Sequence, residues 1–162
     1  MVQSSESPGT FYGVGVGPGD PELITLKAAR LIEQADVIAY LSSQQGKSQS
    51  RDIAQTLLSE VSKAQKEISI QMPMADDPSV GDKVYDQAAL EIEAYLAQGL
   101  KVVFLCEGDP LFYGSFAYLL ERIQLAGQGR FQCITIPGIS SPHAASSALN
   151  LPLTMMKESF SV

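Results

Sequence analysis

Residues Lys101-Val102-Val103-Phe104-Leu105-Cys106 form an apolar run of strand length, and Glu107-Gly108-Asp109-Pro110 follows it at once. A strand with no polar alternation must be covered on both faces, the condition of a central strand in a parallel sheet. Beyond the turn, Ser115-Phe116-Ala117-Tyr118-Leu119-Leu120 has helical composition. Two carboxylates, a glycine and a proline therefore sit where a strand turns into a helix. In open α/β sheets that carboxyl edge is where ligands bind. Gly108 allows a ligand close to the backbone, and Pro110 fixes the turn that aims Asp109.

The rest of the chain repeats the alternation. Residues 11–17 read as a first strand running into a glycine-rich turn. A helix follows from Thr25, its N-cap, to Ala35, with Leu26, Ala29 and Leu31 or Ile32 on its apolar face. Val37–Tyr40 is a second strand, 42–50 a polar loop, and 51–63 a helix. Residues 68–70 make a third strand, 74–82 a loop rich in Asp, Pro and Gly, and 83–98 a long helix stopped by Gly99. After the central strand, a helix ends near Gly127, Cys133–Ile136 forms the fifth strand, and Pro142–Leu149 the last helix. The expected fold is α/β, a mostly parallel five-stranded sheet flanked by helices. Residues 1–10 read as a disordered tail and 11–153 as one N-terminal α/β domain. Residues 154–162 read as a linker and the start of a second domain that the chain lacks.

Composition narrows the function. The net charge of −7 argues against a broad nucleic-acid surface, which needs a basic face. No apolar run reaches the roughly 18 residues of a membrane span. The first eight residues lack the basic and apolar segments of a signal peptide. Cys106 and Cys133, both in strand positions, read as core thiols of a protein in the reducing cytoplasm. No metal site is expected: the only histidine, His143, lies far along the chain from Glu107 and Asp109.

Two motifs fail their own spacing rules. The glycines at 13, 15, 17 and 19 suggest a dinucleotide fingerprint, but Pro18, Asp20 and Glu22 occupy the positions where its last glycine would stand. Gly46-Lys47-Ser48 resembles the end of a phosphate-binding loop, yet Leu41 stands where that loop needs glycine. Glu107 and Asp109 remain open between accepting hydrogen bonds from a ligand, acid–base work, and capping the next helix. In Pro137-Gly138-Ile139-Ser140-Ser141-Pro142, two hydroxyls precede a helix and can cap it, bind a ligand, or do both. His143 reads as a partly exposed helix residue.

Three loops in this order, Val16-Gly17-Pro18-Gly19-Asp20-Pro21, Glu107-Gly108-Asp109-Pro110 and Pro137-Gly138-Ile139-Ser140-Ser141, resemble the tetrapyrrole (corrin and porphyrin) methyltransferase family. The resemblance covers residues 11 to 162. Phe104 through Phe116, with Met72-Pro73-Met74 ahead of a long helix, is most similar to the branch that methylates carbon 20 of precorrin-2 or cobalt-factor II. The resemblance implies two α/β domains with S-adenosylmethionine in the cleft between them, a homodimer, and a tetrapyrrole substrate. Matched residue by residue, it implies cofactor contacts at Pro18, Glu107, Gly108, Asp109, Phe112, Ser140 and Ser141. It names no catalytic base.

The donor sulfonium loses its charge as the methyl leaves. A carboxylate beside sulfur would therefore hold the ground state more tightly than the transition state. Asp109 and Glu107 are thus expected at the ribose or amino-acid end of the cofactor. Lys47, Arg51 and Lys83 are the cations considered for the substrate's carboxylates, against the alternative of ordinary surface charges.

Overall fold

The computed structural model describes residues 7–74 and 77–161. Five parallel strands, β1 (Thr10–Gly15), β2 (Val37–Ser42), β3 (Lys66–Gln71), β4 (Lys101–Cys106) and β5 (Gln132–Ile136), form one sheet in the order β3-β2-β4-β1-β5. The helices are α1 (Leu26–Gln34), α2 (Gln49–Ile53), α3 (Gln55–Glu60), α4 (Pro78–Leu96), α5 (Phe116–Gly127) and α6 (Ser141–Leu149). The expected α/β fold with a five-stranded parallel sheet is the observed one.

The strand order decides which helices cover which face. From β1 the chain moves to β2 and β3 on one side, then returns to β4 and crosses β1 to reach β5. Parallel crossovers are right-handed, so steps in opposite directions lie on opposite faces. The core divides accordingly. Phe11, Val102, Phe104 and Cys106 pack with Ile92 and Leu96 of α4 and Phe116, Leu119 and Ile123 of α5. Val14, Val103 and Leu105 pack with Ala28 and Ile32 of α1 and with Ile53 and Ala54. Successive residues of β4 thus alternate between two cores, the period-two geometry of a strand buried on both sides.

Gly13 supplies the room that one face needs. A Cβ there would lie 2.4 Å from ring atoms of Phe116. Phe116 instead settles over the strand, its ring centroid 5.4 Å from that of Phe11 and 6.4 Å from that of Phe104. The glycine that suggested a dinucleotide loop in fact seats an aromatic side chain.

Several boundaries differ from the sequence reading. The long helix starts at Pro78, with Asp77 as its N-cap accepting from Ser79 N at 2.9 Å. Asp and Pro in 74–82 suit a loop, but Asp77 as N-cap followed by Pro78 at the first helical position starts a helix instead. Asp76 lies outside the described residues. The helix expected over 51–63 begins at Gln49, breaks at Ala54 and resumes to Glu60. Thr25 does cap α1, accepting from Ala28 N at 3.2 Å. The buried face of that helix is Ala28 and Ile32, however, while Leu26 is 84% exposed. Of the expected tail, residues 1–6 lie outside the described residues; Gly9 is buried and donates to Leu96 O, and Thr10 opens β1. At the other end, residues 151–161 are exposed and contain no strand.

Asp36 ties the sheet at its amino edge. Its Oδ2 accepts from Lys101 N at 2.8 Å, and its Oδ1 pairs with Lys63. Burial alone would raise the Asp36 carboxyl, but the bonds from Lys63 and the Lys101 amide outweigh it and hold the group below its ordinary range. A depressed carboxylate adds stability above its unfolded pKa of about 3.9 and loses it as pH falls through the folded value. Asp36→Ala is therefore expected to cost about 1–2 kcal/mol at pH 7. The gap between variant and parent in denaturant melts should narrow below about pH 4. A gap that stays constant from pH 7 to pH 3 would remove the carboxylate from the account.

Candidate functional site: three loops at the carboxyl edge

Adjacent strands β1 and β4 feed helices on opposite faces, so their carboxyl ends diverge and leave a crevice between them. Three loops meet there. Val16 N donates to Cys106 O at 2.9 Å, and Gly108 N donates to Gly17 O at 2.8 Å, extending the contact between β1 and β4 past the end of the sheet. The loop after β5 closes from the other side. A Cβ on Gly138 would lie 2.0 Å from Gly108 O, and one on Gly15 would lie 2.5 Å from that oxygen and 2.7 Å from Gly138 Cα. Here glycine is required by backbone-to-backbone approach. Gly108 differs: its φ is +62°, while the nearest atom to a Cβ there is Ser140 Cα at 3.6 Å. Its constraint is backbone conformation, with room to spare. A side chain at 108 is therefore opposed first by backbone strain.

Asp109 fastens the arrangement. Its Oδ1 accepts from Leu111 N at 2.9 Å, bracing its own turn across Pro110, and its Oδ2 accepts from Gly138 N at 3.1 Å. The earlier Gly19-Asp20-Pro21 repeats the first contact only: Asp20 Oδ1 accepts from Glu22 N at 2.9 Å. The shared tripeptide is thus an Asx turn in both places. Only Asp109 also ties two loops together. Glu107 is exposed and makes no hydrogen bond from its carboxylate among the described residues.

All seven residues singled out in the sequence border one cavity of about 480 Å³: Pro18 from the β1 loop, Glu107, Gly108, Asp109 and Phe112 from the β4 loop, and Ser140 and Ser141 from the β5 loop. A second cavity of about 580 Å³ adjoins it, sharing Asp109, Phe112 and Ser140 and adding His143 and Ser147 of α6. Both volumes fall within the roughly 300–1,000 Å³ of small-molecule sites. Ser140 stands at the N-cap of α6, yet its hydroxyl makes no capping bond; its Oγ lies 2.7 Å from His143 Nδ1. Ser141, the first helical residue, is exposed.

Sequence reasoning missed three participants. Tyr113 holds φ at +54°, a conformation costly for a non-glycine residue, and its side chain, 87% exposed, borders the cavity. Gln49 reaches the same cavity from the start of α2. His143 reads in the sequence as a partly exposed helix residue, and no sequence signal shows its bond to Ser140. The Pro-Gly pair at 137–138 does mark the tight approach of the β5 loop. Cys106, read as a core thiol, is buried at the end of β4, and burial together with the charge of Asp109 pushes its thiol up. Cys133 is only half-buried.

Of the three cations considered for substrate carboxylates, Arg51 is committed elsewhere. Its Nε and Nη2 each donate to Glu67 at 3.1 Å, and Tyr40 Oη donates to the same carboxylate at 2.8 Å. The Arg51 bonds, with help from Tyr40, outweigh partial burial and hold the Glu67 carboxyl low. Lys83 lies beside Ser69 and Gln71 in a separate hollow that shares no residue with the two cavities. Lys47 is exposed in the turn after β2.

Comparison with known proteins gives the family of the chain. The profile of the Tetrapyrrole (Corrin/Porphyrin) Methylases family matches residues 10–162. The chain belongs to that family of methyltransferases. It is 39% identical over 162 residues to the cobalamin biosynthesis protein CobIJ of Mycobacterium tuberculosis (strain ATCC 25618 / H37Rv), covering 95% of this chain and 30% of that protein. It is 36% identical over 166 residues to a precorrin-2 C(20)-methyltransferase of a Sinorhizobium species, covering 95% of this chain and 63% of the relative. The crystal structure of uroporphyrin-III C-methyltransferase from Thermus thermophilus complexed with S-adenosylhomocysteine superposes with a TM-score of 0.59 at 25% identity, over 92% of this chain and 51% of that one. The chain therefore spans less than two thirds of the length of each. No helix among the described residues is long and apolar enough to cross a membrane.

The glycines should rank in a fixed order. Gly138→Ala must push two backbones apart and is expected to cost about 3 kcal/mol. Gly108→Ala has room and should cost only the left-handed strain of about 1–2 kcal/mol. Thermal or denaturant melts of the two variants check the order, and equal losses would contradict the three-loop contact.

Proposed function

We propose that the carboxyl edge of this sheet binds S-adenosylmethionine and that the whole protein transfers its methyl group to carbon 20 of precorrin-2 or cobalt-factor II in corrin synthesis. One observation carries the reading: all seven matched residues, drawn from three loops far apart in sequence, border a single cavity. The site also fits such a group. Gly108 brings no side chain to the cavity, and Phe112 offers an apolar wall beside polar loop groups. The 36% identity to a precorrin-2 C(20)-methyltransferase supports the position on the substrate.

The cofactor, when bound, supplies an activated methyl on a sulfonium. The chain's own residues then bind and orient. Asp109 spends both oxygens on backbone amides and acts first as the clamp that sets the spacing of the β4 and β5 loops. Its remaining lone pairs can still accept from a ribose hydroxyl. Glu107 has a free carboxylate and is the better placed acceptor for a hydroxyl or the ammonium, away from sulfur. Most of the rate then comes from orientation. Residues 11–153 form the cofactor-binding unit, and the segment from 154 leads towards a second domain that closes the edge and excludes water. This accords with the chain covering 63% of that relative. A homodimer in the cytoplasm completes the reading.

Calorimetric titration with S-adenosylhomocysteine should show binding. Asp109→Ala should weaken it by about 1.5–3 kcal/mol, from loss of a charge-assisted bond and of the clamp. Methyl-labelled cofactor with precorrin-2 should place the label at carbon 20 when the whole protein is used. Label at another ring position would replace the assigned substrate site but leave the family activity standing. An Asp109→Ala variant that binds as the parent does would remove the clamp from cofactor binding.

A further inference from the structure

Among the described residues, three other than glycine adopt a left-handed backbone: Tyr113, Gln128 and Asn150. Gln128 and Asn150 close α5 and α6, where that conformation commonly ends a helix. Tyr113 stands in the loop between β4 and α5 with φ at +54°, and no helix end accounts for it. The turn imposes the conformation. Phe112 N donates to Asp109 O at 3.2 Å, and the chain then passes so near Pro110 O that a Cβ on Gly114 would lie 2.6 Å from that oxygen. Glycine at 113 would make the same turn without strain. Burial does not offset the strain of tyrosine, because the side chain is 87% exposed. Its one aromatic neighbour among the described residues is Phe112, edge-on at 5.9 Å. Strain that the surrounding turn maintains, with no packing in return, points to function.

Phe112 and Tyr113 are neighbours in the chain but border different cavities. Phe112 borders the two of about 480 and 580 Å³. Tyr113 borders the first of these and a third of about 190 Å³, which has Leu41, Ser50 and Phe104 in its walls. Tyr113 thus stands on the rim towards β2. On the reading that the methyl donor occupies the carboxyl edge and a tetrapyrrole accepts the methyl, on which this inference rests, the acceptor must approach from outside. Four linked pyrrole-type rings with their carboxylate arms are too broad to enter a cavity of about 480 Å³ beside the donor. The substrate must therefore lie across the mouth and cover residues that are exposed before it arrives. Its conjugated rings present flat, apolar faces, and the Tyr113 ring offers a free aromatic face at that mouth. We propose that the macrocycle stacks on Tyr113, in the offset geometry aromatic pairs prefer. The left-handed backbone aims this ring at the substrate while Phe112 stays with the inner cavities. Tyr113 takes no part in bond making. It fixes the plane of the macrocycle, and hence which carbon meets the methyl.

The strain makes the test discriminating, because stability and binding should move in opposite directions. In the whole protein, Tyr113→Gly should melt at or above the parent temperature, since glycine adopts the left-handed conformation freely. Calorimetric titration with S-adenosylhomocysteine should give a Kd within about twofold of the parent's. Absorbance titration with cobalt-factor II should show binding roughly tenfold weaker, equivalent to about 1.4 kcal/mol. Tyr113→Leu, apolar but without a flat ring, should lose as much, and Tyr113→Phe should restore most of the affinity. In turnover the loss should fall on KM more than on kcat, as expected for a contact made equally before and during methyl transfer. A Tyr113→Gly variant that takes up cobalt-factor II as the parent does would overturn the inference and leave the function reading intact. So would equal losses for both ligands, which would make Tyr113 a cofactor contact, or a clear fall in melting temperature with binding intact, which would make it a packing residue. A parent protein that takes up neither ligand would overturn the function reading and this inference together.

Discussion

The backbone of three loops meets at van der Waals distance above the sheet, and the site depends on that contact. Gly138 approaches Gly108 O so closely that a single methyl group on its Cα would overlap the oxygen, and Gly15 is nearly as confined. Nothing but hydrogen fits between these strand ends. Because the loops are pressed together through main chain, the residues just beyond them are placed with main-chain precision. Pro18, Glu107 and Ser140 therefore border one cavity although they come from three strands. The carboxylate of Asp109 completes the arrangement by bonding across from the β4 loop to the β5 loop.

The position of the cavity follows from the order of the strands. With β1 between β4 and β5, the chain leaves β1 towards one face and β4 towards the other. A crevice is unavoidable where the two connections part. The same topology explains the core. β4 lies between β2 and β1 and contributes side chains to both hydrophobic clusters, so the strand that supports the central loop is buried from Val102 to Cys106. A loop on such a strand is held rigidly. That suits a site whose contribution is orientation.

Charge is arranged around the sheet mainly as paired groups. Arg51 grips Glu67, Arg122 bridges Asp82 and Asp86 from α5 to α4, and Lys63 pairs with Asp36. These pairs are partly exposed, so each adds little to stability on its own. Their larger effect is to withdraw cations from an already acidic surface. Arg51, which the sequence offered as a contact for substrate carboxylates, is bound through two of its nitrogens to Glu67. Lys47 keeps an exposed ammonium near the carboxyl edge.

The sequence by itself determined the class of fold and pointed to the carboxyl edge as the candidate site. An apolar run such as Val102–Leu105 has no polar face to give to water, so it specifies a strand covered on both sides. A glycine, an aspartate and a proline directly after it specify a sharp turn at the carboxyl edge. These are local constraints, and local chemistry is what a sequence states directly. The start of α4 was misread because Asp77-Pro78 serves equally well as loop or as helix start, and only packing of the helix on β3 and β4 selects between them. The same limit applies to single residues. Gly13 and Gly138 look alike in the sequence, yet one makes room for the ring of Phe116 and the other for a backbone oxygen. Asp20 and Asp109 share a tripeptide, and only the second meets another loop. Arg51 and His143 gained their partners, Glu67 and Ser140, from folded geometry. Tertiary structure decided these roles because each depends on which backbone or side chain the sheet order brings opposite, a relation between distant segments that no local pattern encodes.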